Sequence, residues 1–186
     1  LFKKEGWNAM RVRLFVDPSK APKENKDEGV CQDLNYVMQL GKQIKKAGFQ
    51  LMLDFHYSDT WADPGKQFTP DSWKGASAQA LADSVYQYTV RSLKAMKKAG
   101  AEPDLIQVGN EISFGMLWPT AKTQPTEDAN WPEFIAMLEK GCQACREICP
   151  KAKIIIHTEQ AGVWKNTEAF YDRLKAAHLD YDIIGL

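Results

Sequence analysis

The sequence predicts an α/β fold, a (β/α)8 TIM barrel present as a section covering about strands 2 to 6. Three observations carry this. Short apolar strand-like runs alternate with amphipathic helical stretches, five strands to four helices, an order that implies a parallel sheet with right-handed crossovers. The strand-to-helix loops are mostly long (17–32, 56–76 and 110–129, with 158–166 the shortest) and the helix-to-strand turns are short, so parallel strands put the long loops on one face. A doubly wound open sheet also fits the alternation, but it often carries a Gly-rich phosphate turn after its first strand. Here that turn reads DPSKAPKENKDEG, and a barrel is favoured. A full barrel takes about 250 residues, so five of eight strands is a proportionate share of 186 residues.

Each element has its own signal. Met10 to Val16 alternates as a strand and breaks at Asp17-Pro18. Leu34, Val37, Met38 and Ile44 mark one helix face, closed by Gly48. Phe49 to Phe55 is a second strand. Ser77 caps a second helix with Leu81, Val85, Leu93 and Met96 at helical spacing and Gly100 as its stop. Asp104 to Gly109 is a third strand. The next helix carries Phe134, Ile135, Leu138 and Cys142 and ends at Pro150. Lys153 to Ile156 is the fourth strand, about Thr167 to Ala177 a helix, and Asp182 to Leu186 a fifth strand.

Composition narrows the function. The chain is 44% hydrophobic, enough for one sizeable core. Net charge is zero, which gives no electrostatic case for nucleic acid or a membrane surface. No apolar run approaches a bilayer-spanning length. The start, LFKKEGWN, and the end, YDIIGL, read as the interior of a longer chain, so residues 1–186 are expected to be one domain truncated at both ends. Of four cysteines, Cys142 and Cys149 sit about 10 Å apart along a helix, too far to bridge. The zinc reading lacks a fourth ligand, and the cysteines are expected to pack in the core. Trp61, Trp73, Trp118 and Trp164 fall in the long loops, with Trp131 at the edge of one. That concentration suggests a binding surface with flat faces for sugar rings, bases or peptides.

The complete strands end in polar groups on the loop face: Arg13 and Asp17, Asp54 and His56, Asn110 and Glu111, His157 and Glu159. Convergence there reads as an active site. Bland readings stand beside it. Asn110-Glu111 could cap a loop, Arg13 could pair with Asp54, and either histidine could be structural. Two histidines with acids could also hold a metal, although no His-x-His pair is present.

The stretches LDFHYSDTWADPGKQ (53–67) and IQVGNEISFGMLWPT (106–120), with MRVRLFVDPS (10–19) and the helix start Asp33 to Tyr36, resemble glycoside hydrolase family 53, the arabinogalactan endo-β-1,4-galactanases. The resemblance covers nearly the whole chain. It implies a retaining barrel enzyme with two catalytic glutamates. Glu111 would be the general acid/base, and Asn110 would bond the sugar 2-hydroxyl. Arg13 would hold the nucleophile's carboxylate, and His56 and His157 would line the same sugar. Trp61, Asp63 and Trp118 would belong to the neighbouring sugar cleft. The family's nucleophile ends the seventh strand, beyond Leu186, and Glu159 does not match it. The resemblance implies a β-1,4-galactan substrate, no cofactor, a monomer, and secretion inferred from the polymeric substrate. A structural calcium of some relatives finds no ligand set here. Competing readings are a clan-related mannanase or glucanase, and a non-catalytic carbohydrate-binding barrel.

Overall fold

The computed structural model describes residues 2–186. Five parallel strands, β1 (Ala9–Leu14), β2 (Gln50–Phe55), β3 (Leu105–Val108), β6 (Lys153–His157) and β7 (Ile183–Gly185), stand side by side in that order. Helices α1 (Leu34–Lys46), α2 (Ala78–Lys98), α3 (Trp131–Ile148) and α4 (Trp164–Ala176) make the crossovers. The strand order follows the chain without reversal. A doubly wound sheet reverses at a switch point, so this order is that of a barrel wall. The register runs Arg13↔Asp54, Asp54↔Gln107 and Gln107↔Ile155 across the first four strands.

Period-two alternation sorts each strand onto two faces. Val12, Leu14, Leu51, Leu53, Phe55, Ile106, Val108, Ile154 and Ile156 join the helices in one hydrophobic cluster. Arg11, Arg13, Asp54 and Gln107 occupy the alternate positions, on the opposite face. The core therefore lies between sheet and helices, and the inner face is left polar. Helix α3 packs closely enough on the sheet that a Cβ at Gly141 would lie 2.7 Å from Val108 Cγ1 and 3.3 Å from the Tyr57 hydroxyl.

The caps follow the sequence. Asp33 accepts the Tyr36 N–H at 2.8 Å and Ser77 the Ala80 N–H at 3.2 Å, satisfying donors that a helix start leaves orphaned. Lysines close the last turns of α1 and α2, where they meet the negative end of the helix dipole.

Several boundaries differ from expectation. β1 stops at Leu14 because the Phe15 and Val16 N–H groups leave the ladder for Gln32 O and Ser58 O. β6 runs on to His157, and α4 starts at Trp164 rather than near Thr167. The loop after β3 folds into an unforeseen antiparallel pair, β4 (Gly115–Met116) and β5 (Ala121–Lys122). Two residues per strand are too few to show alternation.

The tryptophans do not form one loop-face surface. Trp131 is buried, with its ring 5.4 Å from Phe134 and 5.5 Å from Phe170. Trp73 leans on Tyr88. Cys142, Cys145 and Cys149 are free and buried in the core, but Cys31 is exposed, against the expectation that all four pack inside. Burial pushes the Cys142 thiol up to about 12, which leaves it inert as a nucleophile. Among the described residues, no helix is long and apolar enough to cross a membrane, and no three His, Cys, Asp or Glu side chains gather to hold a metal ion.

Candidate active site

The site forms where β1, β2, β3 and β6 end. Gly109 and Glu111 both take left-handed backbone, with φ of 83° and 51°. At Gly109 a Cβ would lie 2.8 Å from Ile112 Cγ2, so glycine is required there. The left-handed turn at Glu111, unusual for a non-glycine residue, swings its carboxyl toward the cleft. The next strand holds this kink. Glu111 N–H reaches His157 Nδ1 at 3.3 Å, Ile112 N–H donates to His157 O at 3.0 Å, and Ser113 Oγ donates to Glu159 Oε2 at 3.0 Å.

Beneath it, Asn110 is gripped on both sides of its amide. Its Oδ1 accepts from Arg11 and, at 3.2 Å, from Gln107 Nε2, and its Nδ2 donates to Ala62 O at 2.7 Å. Asp54, fully buried, accepts from Arg11 at 2.8 Å and Gln107 at 2.6 Å. Burying a carboxylate is tolerable only with such partners. His157 Nδ1 also lies 3.1 Å from Asn110 Oδ1. Only a bare Nδ1 accepts the Glu111 N–H, and only a protonated Nδ1 donates to Asn110, so the tautomer chooses between the two contacts.

The cleft has a volume of about 190 Å³. Glu111, Asn110, Arg13, Trp61 and Asp63 line it as expected from the sequence, together with Arg11 and Lys66. Arg13 lies over the Trp61 ring at 4.8 Å, and Trp61 Nε1 donates to Asp27 at 2.8 Å, which fixes the indole. Asp63 closes its own turn by accepting the Gly65 and Lys66 N–H groups at 2.8 and 3.1 Å, and pairs with the Lys66 ammonium.

His157 touches Asn110 and Glu111 without lining the cleft, and three further expected residues stand elsewhere. His56 is buried, with both ring nitrogens used: Nδ1 accepts Ala62 N–H at 3.0 Å and Nε2 faces Asp54 at 3.2 Å. It positions the loop and does not face the cleft. Trp118 lines a separate cavity. The ion pair to Asp54 considered for Arg13 is made by Arg11. Asp17 caps a short 3-10 turn instead of joining the strand ends. Arg11 and Gln107 are the functional residues that strand ends alone do not reveal. Arg11 lies two positions before Arg13, where the period of two could have found it, and Gln107 is found through its register with Asp54. Gln67, whose amide donates to Asn110 O at 2.9 Å and Glu111 O at 3.2 Å, belongs to a loop and leaves no periodic signal.

Electrostatics separate the titratable groups. Burial raises the Glu111 carboxyl above its ordinary value, and the negative charge of Asp63 adds to this. Glu159 is likewise pushed up by burial, and its Oε1 is buried without a partner. Burial, with Arg11 nearby, lowers His157, favouring the neutral imidazole. The arrangement can hold a proton on Glu111 and present it to a group lying against Trp61 and Asn110.

Known proteins place this geometry in context. The family model for glycosyl hydrolase family 53 matches residues 1–186. The chain is 32% identical to the Aspergillus niger arabinogalactan endo-beta-1,4-galactanase A over 97% of its own length and 49% of that protein. It superposes on the Ignisphaera aggregans GH53 catalytic domain with a TM-score of 0.87 at 35% identity, covering 98% of this chain and 49% of the other. A structure from a study of two fungal beta-1,4-galactanases gives 0.83 at 31% identity, over 98% and 52%. The chain spans about half the length of the curated relatives it matches. The sheet is thus a section of a (β/α)8 barrel.

Proposed function

Since the chain belongs to glycosyl hydrolase family 53, we propose that its protein is an endo-acting retaining glycosidase that cleaves β-1,4-galactosidic bonds in type I arabinogalactan, the pectic galactan. The observation that carries this is Glu111: a carboxyl raised by burial at the tip of a barrel strand, beside a clamped Asn110.

Retaining cleavage needs an attacking carboxylate and a proton donor about 5–5.5 Å apart. Glu111 is the donor, because its raised pKa keeps it protonated where an ordinary carboxyl has ionised. Asn110 spends one amide hydrogen on Ala62. The second is available for the sugar 2-hydroxyl, a bond that strengthens as the oxocarbenium-like transition state forms. Arg11, Asp54 and Gln107 fix the amide's orientation. Arg13 stands in the cleft to keep the nucleophile ionised, and we assign that nucleophile to a strand beyond residue 186. Residues 2–186 alone then bind substrate without completing the double displacement. A polymer of this size is met outside the cell, so the protein is secreted, and it acts as a monomer without cofactor.

The test is Glu111→Gln in the galactan-cleaving protein. Cleavage falls by about 10²–10⁴-fold, the usual worth of a general acid, while oligosaccharide binding persists. Unchanged cleavage removes Glu111 from the mechanism. A parent that binds but never cleaves is a non-catalytic carbohydrate-binding barrel, and a parent that prefers mannan or glucan is a different glycanase.

A further inference from the structure

A second cavity of about 420 Å³ opens on the loop face and shares no lining residue with the Glu111 cleft. Its size falls in the range of small-ligand pockets, about 300–1,000 Å³. Phe68, Trp118, Pro22 and Pro119 supply apolar surface, and Lys20, Glu24, Asp71 and Lys74 stand at its margin. Phe68 is 40% exposed, a large apolar ring presented at the surface.

The cavity is built, not incidental. Asp59, nearly buried, accepts the Asp17 N–H at 2.9 Å through one oxygen and the Asp71 N–H at 2.7 Å through the other. It thereby ties the loop after β1 to the loop after β2. Thr69 Oγ1 donates to Trp118 O at 3.0 Å, and Trp118 N–H donates to Gln67 O at 2.8 Å, which ties in the loop after β3. Walls fixed before binding lower the ordering cost of a ligand.

The chemistry selects the ligand. Of the charged groups that line it, Lys74 is spent on Asp71 at 2.9 Å and Asp59 on two backbone N–H groups, which leaves Lys20 and Glu24 to offset one another. An ion gains little there. Aromatic and proline surface ringed by groups that both donate and accept fits a neutral polyhydroxylated ring. The loop 56–76 continues from the cleft, at Trp61 to Lys66, to this cavity, at Phe68 to Lys74. We infer that the Phe68–Trp118 cavity is a second carbohydrate site, separate from the cleft, that holds a neutral β-1,4-linked galacto-oligosaccharide. The choice of sugar rests on the proposed function; the existence of the site does not.

The test uses the protein carrying Glu111→Gln, which leaves the ligand intact. It is titrated with β-1,4-galactotetraose, and with cellotetraose in parallel, while amide shifts are followed. Thr69, Asp71 and the Trp118 indole report the cavity; Ala62 and Asn110 report the cleft. Two separate saturation curves are expected with galactotetraose. Phe68→Ala should weaken the cavity curve by about tenfold, the loss of one stacking ring, and leave the cleft curve in place. Cleft shifts with a silent cavity overturn the second site and spare the proposed function. Cavity shifts that ignore Phe68→Ala overturn it too. A cleft that answers only to cellotetraose overturns the galactan reading, and the cavity then stands or falls on its own response to galactotetraose.

Discussion

Glu111 sits where two demands on one carboxyl conflict. The proposed acid role wants a proton held to high pH, and folding would be easier without the group. The sign is definite. Burial raises its pKa in the folded chain, so the folded state binds the proton more tightly than the unfolded one. The group's contribution to stability therefore falls as pH rises through its titration. Glu111→Gln, a neutral mimic, should raise Tm near about pH 8 and change it little near about pH 4, as a pair of thermal melts would show. Asp63→Asn keeps the oxygen that accepts the Gly65 and Lys66 N–H groups. It removes the negative charge that helps raise Glu111 and frees the Lys66 ammonium. Both changes lower the Glu111 pKa, so the alkaline limb of the cleavage profile should move toward acid. A limb that stays put would leave burial, with the lesser contribution of Asp54, as the cause. At this scale the sequence pointed to residues that come together: Glu111, Asn110, Arg13, Trp61 and Asp63 line one cleft. His56 is the exception, because a strand-end histidine looks the same whether its ring faces a ligand or, as here, a loop amide and a buried carboxylate.

Elements are joined here by close contacts that leave no slack. Gly141→Ala should gain about 1 kcal/mol of helix propensity and lose more, on the order of 1–3 kcal/mol, from overpacking against Val108. Denaturant melts should show a net loss. Asp182 is the counterpart between β6 and β7. Burial works against its charge, yet the Ile154 N–H, Lys153 and Arg146 together hold its carboxyl down at about 2. Its stabilising effect is present above the ordinary carboxylate range and lost as pH falls toward about 2. Asp182→Ala should therefore cost on the order of 2 kcal/mol at neutral pH and almost nothing near the acid end, read from unfolding curves at the two pH values. The helices were legible from capping residues and spacing. The β4–β5 pair was not, since it pairs only Gly115 with Lys122 and Met116 with Ala121 across a turn and follows no repeating pattern.

For the whole molecule, order in the sheet predicts order in opening. β2, β3 and β6 are paired on both sides, whereas β1 and β7 pair on one side among the described residues. Amide exchange should be slowest in the three inner strands and fastest in β7, where Ile184 is exposed. Exchange followed by mass spectrometry checks this. The five parallel strands, their barrel order and the loop face were readable from alternation and loop length. The polar inner face was less so, because Arg11 and Gln107 look like interruptions until register puts Gln107 opposite Asp54 and an ion pair brings Arg11 to the same carboxylate.

The three links from residues 111–113 to residues 157–159 mean that the acid takes its address from its neighbour. Moving the donor in an engineered variant is then a problem for the 157–159 segment. Libraries built there would shift the carboxyl by small steps while its own turn stays untouched, whereas changes at 109–111 would break the turn before they moved the proton.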